Sequence, residues 1–209
     1  MKYFLLIFLV LTSCSILYPE GVSFNRPNYN HEYKTFVKKL DFKKGAYLLA
    51  PTSFHKSNRT ENIDDIHDFF KSKLGDRLML TDDLRDESGK KIILIKVDYD
   101  TALDHIDFFS KISDYQYLIL TKITYLKDDR GLNVDERHRK PKPLNSKTRT
   151  GAKSSILVLD LENKSVFLEM DFSGHVSISD KEDDGIANIY SGSYSLGRKT
   201  MKKLLKKIK

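Results

Sequence analysis

The chain has 209 residues with 36 Lys and Arg against 29 Asp and Glu, a net charge of +7, 40% apolar and 31% charged residues, and one cysteine. These are the proportions of an ordinary globular domain long enough to bury a real core. A single cysteine excludes an intramolecular disulfide.

The chain opens on Lys2, a run of apolar residues from Tyr3 to Leu11, then Thr12, Ser13 and Cys14. This three-part layout is that of an export signal, and the run is far short of the roughly 20 apolar residues that span a bilayer. Residues 1–13 therefore read as a signal peptide. The quartet Leu11-Thr12-Ser13-Cys14 resembles the lipobox of bacterial lipoproteins. That resemblance implies cleavage before Cys14 and acylation of Cys14 by palmitate-type chains, with two or three hydrocarbon tails holding firmly where one would not. Residue 15 is Ser rather than Asp, which in the resembling enterobacterial lipoproteins implies the outer membrane, facing the periplasm. Loss of Lys2 with the signal takes the net charge from +7 to +6. In an exported chain that charge points to anionic lipid, polymers or acidic proteins and not to nucleic acid.

Residues 14–33 mix Pro, Gly, Asn and scattered aromatics without a period and read as a lipid-attached tether; residues 34–209 read as one domain. Residues 46–50 are a continuous apolar run closed by Pro51, the pattern of a buried central strand. Asn62 is placed to cap a helix carrying Ile63, Ile66, Phe69, Phe70 and Leu74 at helical spacing, with Asp64 and Asp65 in its first turn and Gly75 beyond its end. A short strand at 78–80, a turn at 86–89 and a β-branched strand at 92–97 follow. Thr101 is placed to cap a second helix with Leu103, Ile106, Phe109 and Ile112 on its inner side.

Residues 115–126 form a long strand, and the polar stretch 127–151 reads as a long loop. Residues 154–161 and 165–179, joined by the turn Glu162-Asn163-Lys164, form a hairpin in which Val166, Leu168, Met170 and Phe172 alternate. Residues 195–209 close the chain as a helix with Met201, Leu204, Leu205 and Ile208 in one apolar stripe among lysines. The fold class is α/β (α+β): a single mixed sheet with amphipathic helices packed on it, a C-terminal meander hairpin and a closing helix. The order of elements from residue 45 onward, with the phrase SSILVLDLENKSVFLEMDFSG and the terminal helix, resembles periplasmic lipoprotein domains of the curli secretion-channel, TolB amino-terminal and penicillin-binding-protein activator type. No site residue carries over from that resemblance.

Several constellations touch on chemistry without completing it. The segment 192–200 (GSYSLGRKT) places Arg198 where a P-loop needs its lysine, so it reads as a glycine turn opening the last helix. Asp180, Glu182, Asp184 and Gly185 start like a calcium loop, but Ser191 stands where the bidentate Glu is required. Asp64, His67 and Asp68, and again Asp104, His105 and Asp107, share helix faces and lack a ligand from a third element, so neither metal nor other cofactor is expected. The hydrolase signatures GxSxG and HExxH are absent from the sequence.

The basic stretch Arg137, Arg139, Lys140, Lys142, Lys147 and Arg149, kept extended by Pro141 and Pro143, is the candidate binding element for an anionic partner. The expected function is a membrane-anchored, non-enzymatic binding or assembly accessory lipoprotein, held to the membrane through acylated Cys14 and bound to an envelope protein or anionic polymer. A subunit of an oligomeric secretion channel and an envelope hydrolase are the alternatives, and the oligomeric state stays open.

Overall fold

Strand alternation splits the apolar residues into two sets, and each set packs on its own face of one mixed sheet. The computed structural model describes residues 22–24, 26–54, 60–61, 63–92, 97–112, 114–128, 148–177, 187–189 and 191–208. In chain order the strands are β1 (Val22–Phe24), β2 (Asn28–Tyr33), β3 (Tyr47–Leu49), β4 (Thr52–Phe54), β5 (Thr60–Glu61), β6 (Leu78–Leu80), β7 (Tyr117–Asp128), β8 (Thr148–Asp160), β9 (Ser165–Ser177) and β10 (Ala187–Ile189). The helices are α1 (Asp64–Leu74), α2 (Ile106–Ile112) and α3 (Ser193–Lys207).

The eight-stranded sheet runs β2-β9-β8-β7-β3-β6, with β4 beside β7 and β5 on β4. β3 is parallel to both β6 and β7, whereas β7, β8, β9 and β2 are antiparallel neighbours. β1 and β10 pair in parallel as a separate two-stranded sheet. The expected single mixed sheet with packed helices, meander hairpin and closing helix is the observed fold, in three layers.

On the first face, Ile66, Phe70 and Leu74 of α1 and Met201, Leu204 and Leu205 of α3 bury against Ile119, Ile123, Ile156, Val158, Leu168 and Met170. Each such side chain contributes about 1.5–3 kcal/mol by leaving water. α3 sits close to the sheet because both surfaces are glycine there. A Cβ on Gly197 would lie 2.8 Å from Ile123 Cγ2, and one on Gly174 2.8 Å from Thr200 Cγ2. On the second face, Ala102, Ile106 and Phe109 cover Leu48, Leu118, Leu120, Leu157 and Leu159. A register shift between Val158 and Leu159 leaves Phe167 without a partner, so Val166 faces the second core while Leu168, Met170 and Phe172 face the first.

Several boundaries differ from the sequence reading. Residues 28–33, read as the end of the tether, form the edge strand β2 on β9. An edge strand needs burial on one side only, and Tyr29 and Tyr33 supply it. The expected loop 127–151 is taken up at both ends by the β7–β8 pair, and residues 129–147 lie outside the described residues. α1 begins with Ile63 at its N-cap and no capping side chain, Asn62 lying outside the described residues. Thr101 makes no capping bond either, because the segment starts as a 3₁₀ turn over Ala102–His105 before α2 takes over. Of the expected strand at 92–97, residues 93–96 lie outside the described residues.

Candidate functional site

Along β7, β8 and β9 the second face changes character midway. Leu118 and Leu120 give way to Lys122, Leu159 and Leu157 to Ser155 and Lys153, and Val166 to Glu169 and Asp171. Register aligns the change: Ser53, Lys122, Ser155, Asp171 and Glu32 stand opposite one another in turn across β4, β7, β8, β9 and β2. The result is a polar row five strands wide, next to the area covered by α2.

Asp171 is the centre of that row and is only 7% exposed. It accepts a hydrogen bond from Ser155 Oγ at 2.6 Å, and its Oδ2 lies 2.6 Å from Lys153 Nζ and 3.2 Å from Lys34 Nζ. Lys34 also donates to Glu169 at 2.6 Å. Burial pushes the Asp171 carboxyl up, but hydrogen bonds from Lys153, Ser155 and Lys34 outweigh it and hold the group below the ordinary carboxylate range. Burial likewise works against the charge on Lys34, and its bonds to Glu169 and Asp171 prevail, leaving its pKa raised. Beside this cluster Lys122 Nζ lies 2.5 Å from Asp100 Oδ2 and 5.7 Å above the Tyr99 ring, whose backbone N–H donates to Ser53 Oγ at 3.2 Å. The Tyr99 hydroxyl is buried beside Ser155. Burial lifts that phenol far above its usual range, and the nearby Glu169 and Asp171 charges push the same way.

A second feature lies on the first face, where the starts of α1 and α3 meet β4. A cleft of about 130 Å³ there is lined by residues including Phe54, Ile63, Asp64, Tyr194 and Arg198. Arg198 donates to Asp65 at 2.7 Å and Lys202 approaches it at 3.2 Å. The Arg198 bond holds the Asp65 carboxyl below its usual range.

Cys14, Arg137, Arg139, Lys140, Lys142 and Lys147 lie outside the described residues, as do Asp180, Glu182, Asp184 and Gly185. Arg149 belongs to β8, with its side chain outside them. Asp64, His67 and Asp68 do not converge on a metal position; among the described residues no three His, Cys, Asp or Glu side chains do. Asp107 instead pairs with Lys164 at 2.7 Å, tying α2 to the β8–β9 turn. Gly192 occupies the N-cap of α3, so the glycine turn stands as read, while Gly197 lies inside the helix. The stripe of Leu204, Leu205 and Ile208 is core. Among the described residues no helix is long and apolar enough to cross a membrane.

No protein family and no curated protein matches the sequence. Among solved structures the chain is similar to a PelC dodecamer from Paraburkholderia phytofirmans, with 10% identity over 88% of this chain and 97% of that one and a TM-score of 0.35. A single-substitution variant of that dodecamer gives 11% identity, coverage of 88% and 98% and a TM-score of 0.36. The hypothetical protein CT253 from Chlamydia trachomatis is 12% identical over 79% of this chain and 93% of its own, with a TM-score of 0.31.

The alternation of Glu169 and Asp171 with Leu168, Met170 and Phe172 is the only trace of the Asp171 cluster in the sequence. Its two cationic partners, Lys34 and Lys153, come from two other segments, and strand pairing brings them together.

Proposed function

We propose that this chain is a lipid-anchored accessory subunit of the cell envelope, facing the periplasm, which binds a partner and performs no reaction of its own. The observation that carries this reading is the polar half of the second sheet face. It is a flat surface of fixed charges next to the outer edge of β2, and so suited to docking a protein or a charged polymer across several strands. An enzyme acting on a small substrate is better served by a concave site with converging ionisable groups; here the ionisable groups neutralise one another in pairs. The lipobox supplies the location, with Cys14 as the acylated residue and the stretch from Arg137 to Arg149 as a further anionic-partner element.

Photo-crosslinking in cells tests the binding face. A crosslinking residue is placed at Glu32 or His175, both exposed on that face, and at Lys73 on the outer side of α1 as the control. Adducts at Glu32 and His175 but not at Lys73, lost on Lys153→Glu, are the expected outcome. Equal adducts at all three positions, or none at any, overturn the reading. Labelled palmitate entering the natural protein but not a Cys14→Ala form checks the anchor separately.

A further inference from the structure

Phe36 is the most exposed large apolar residue among those described, at 104% of its reference area, and the backbone on both sides of it is tied down. Before it, the Lys34 N–H donates to Glu169 O at 2.9 Å, and the Glu169 N–H donates back to Thr35 Oγ1 at 3.1 Å. After it, Val37 packs on the first core, and the Leu40 N–H donates to Ile208 O at 3.3 Å. Tyr33, Val37 and Leu40 therefore point inward, and Phe36 is held outward by the architecture of the loop.

The same contacts fuse this loop to the end of α3. The Tyr33 hydroxyl donates to Lys207 O at 3.3 Å, and Lys38 Nζ lies 5.9 Å over the Tyr33 ring. Because Leu204, Leu205 and Ile208 are buried, Lys203, Lys206 and Lys207 are turned to solvent beside the loop, which adds exposed Lys38 and Lys39. None of Lys38, Lys39, Lys206 and Lys207 has an ion-pair partner among the described residues. Of the acids flanking the loop, Asp41 accepts the Lys43 N–H at 3.1 Å and Glu32 stands on β2.

A fixed aromatic side chain flanked by exposed lysines is complementary to a surface that is anionic outside and apolar beneath. We propose that the Phe36 loop and the last turn of α3 form a surface that docks on an anionic lipid bilayer, Phe36 entering among the acyl chains while the lysines meet the headgroup phosphates. This goes beyond the partner-binding reading and does not depend on it: Phe36 and these lysines lie past the end of β2, where Lys34 joins the loop to the Asp171 cluster, and their lipid contact needs no acyl chain on Cys14. It would fix the orientation of a body that an acyl anchor alone leaves free to turn.

The test uses the full chain with Cys14→Ala, so that no acyl chain is attached and one introduced thiol takes the label. An environment-sensitive fluorophore is attached at Phe36→Cys or, as the control, at Leu126→Cys, which is exposed beside the shift in register between Tyr125 and Lys127. Vesicles of phosphatidylcholine alone are compared with vesicles containing about three parts in ten phosphatidylglycerol, and the apolar run 3–11 is common to every sample. The expected result is a blue shift at position 36 on the anionic vesicles only, none at position 126, and a fall in vesicle binding at that label of about tenfold or more on Lys38→Glu with Lys207→Glu. Equal shifts at both positions, a shift that ignores lipid charge, or no shift at position 36 overturn the proposal.

Discussion

The two faces of the sheet are formed by the same strands and completed in different ways. Two helices cover the first face and bury Ile119, Ile123, Ile156, Val158, Leu168 and Met170 in one continuous core. The second face is covered by α2 over its apolar half and then turns to lysine and carboxylate. Where a helix covers the sheet, cohesion comes from excluded water and shape. Where none does, a buried carboxylate holds two lysines in place and leaves a surface of defined charge. Both faces hold a buried core, and only the second adds a patch of fixed charge, which alternation along each strand allows one segment to carry.

The largest effect is expected from the covered face. Phe70 is fully buried in α1, and Phe70→Ala is expected to cost about 4 kcal/mol through lost transfer energy and the cavity left behind. Urea denaturation measures it; a cost below about 1 kcal/mol would mean that α1 is not part of the cooperative core. Next comes the uncovered half. Asp171→Ala leaves Lys34 and Lys153 without their shared partner and is expected to cost about 2 kcal/mol, the lysines keeping water around them. If that variant is as stable as the parent, the charged half takes no part in cohesion and the contrast between the faces is sharper than drawn.

Acid sharpens the same contrast. The Asp171 carboxyl is held below its ordinary value in the folded chain, so the folded state binds fewer protons than the unfolded one in that range. Its contribution to stability is then complete above the unfolded carboxylate value of about 3.9 and is lost as the pH falls from there through the folded value. Stability measured down an acid series should fall more steeply for the parent than for Asp171→Asn, the difference opening only below about pH 4. Parallel curves would show that Asp171 is not the group whose protonation loosens this face.

The covered face could be read from sequence more easily than the charged one, for a physical reason. The strand at residues 47–49 announces itself because burial on both sides demands an unbroken apolar run, and the second arm of the hairpin does so through alternation. α1 and α3 do so through helical spacing. β2 has no such run: Tyr29, His31 and Tyr33 alternate with Asn28, Asn30 and Glu32, only the two tyrosines are half buried at the sheet edge, and among Pro, Gly and Asn that pattern passes for a tether. The Asp171 cluster is harder still. Lys34, Lys153 and Asp171 are each ordinary polar residues in their own segments, and their meeting depends on a register that no single segment encodes. The histidines and carboxylates that do sit close in sequence, on α1 and around α2, form no joint site among the described residues.

The smallest expected effect separates exposure from cohesion within two adjacent residues. Phe36 and Val37 share one loop, but Val37 packs on the first core while Phe36 reaches into solvent. Phe36→Ser removes an apolar ring that contributes no buried area, and its effect on the denaturation midpoint should stay within about 0.5 kcal/mol. Val37→Ala removes two partly buried methyl-type groups and should cost about 1 kcal/mol. If Phe36→Ser proved the more damaging of the two, the loop would be closing onto the body through that ring. Phe36 would then belong with the covered face rather than with the surfaces turned outward.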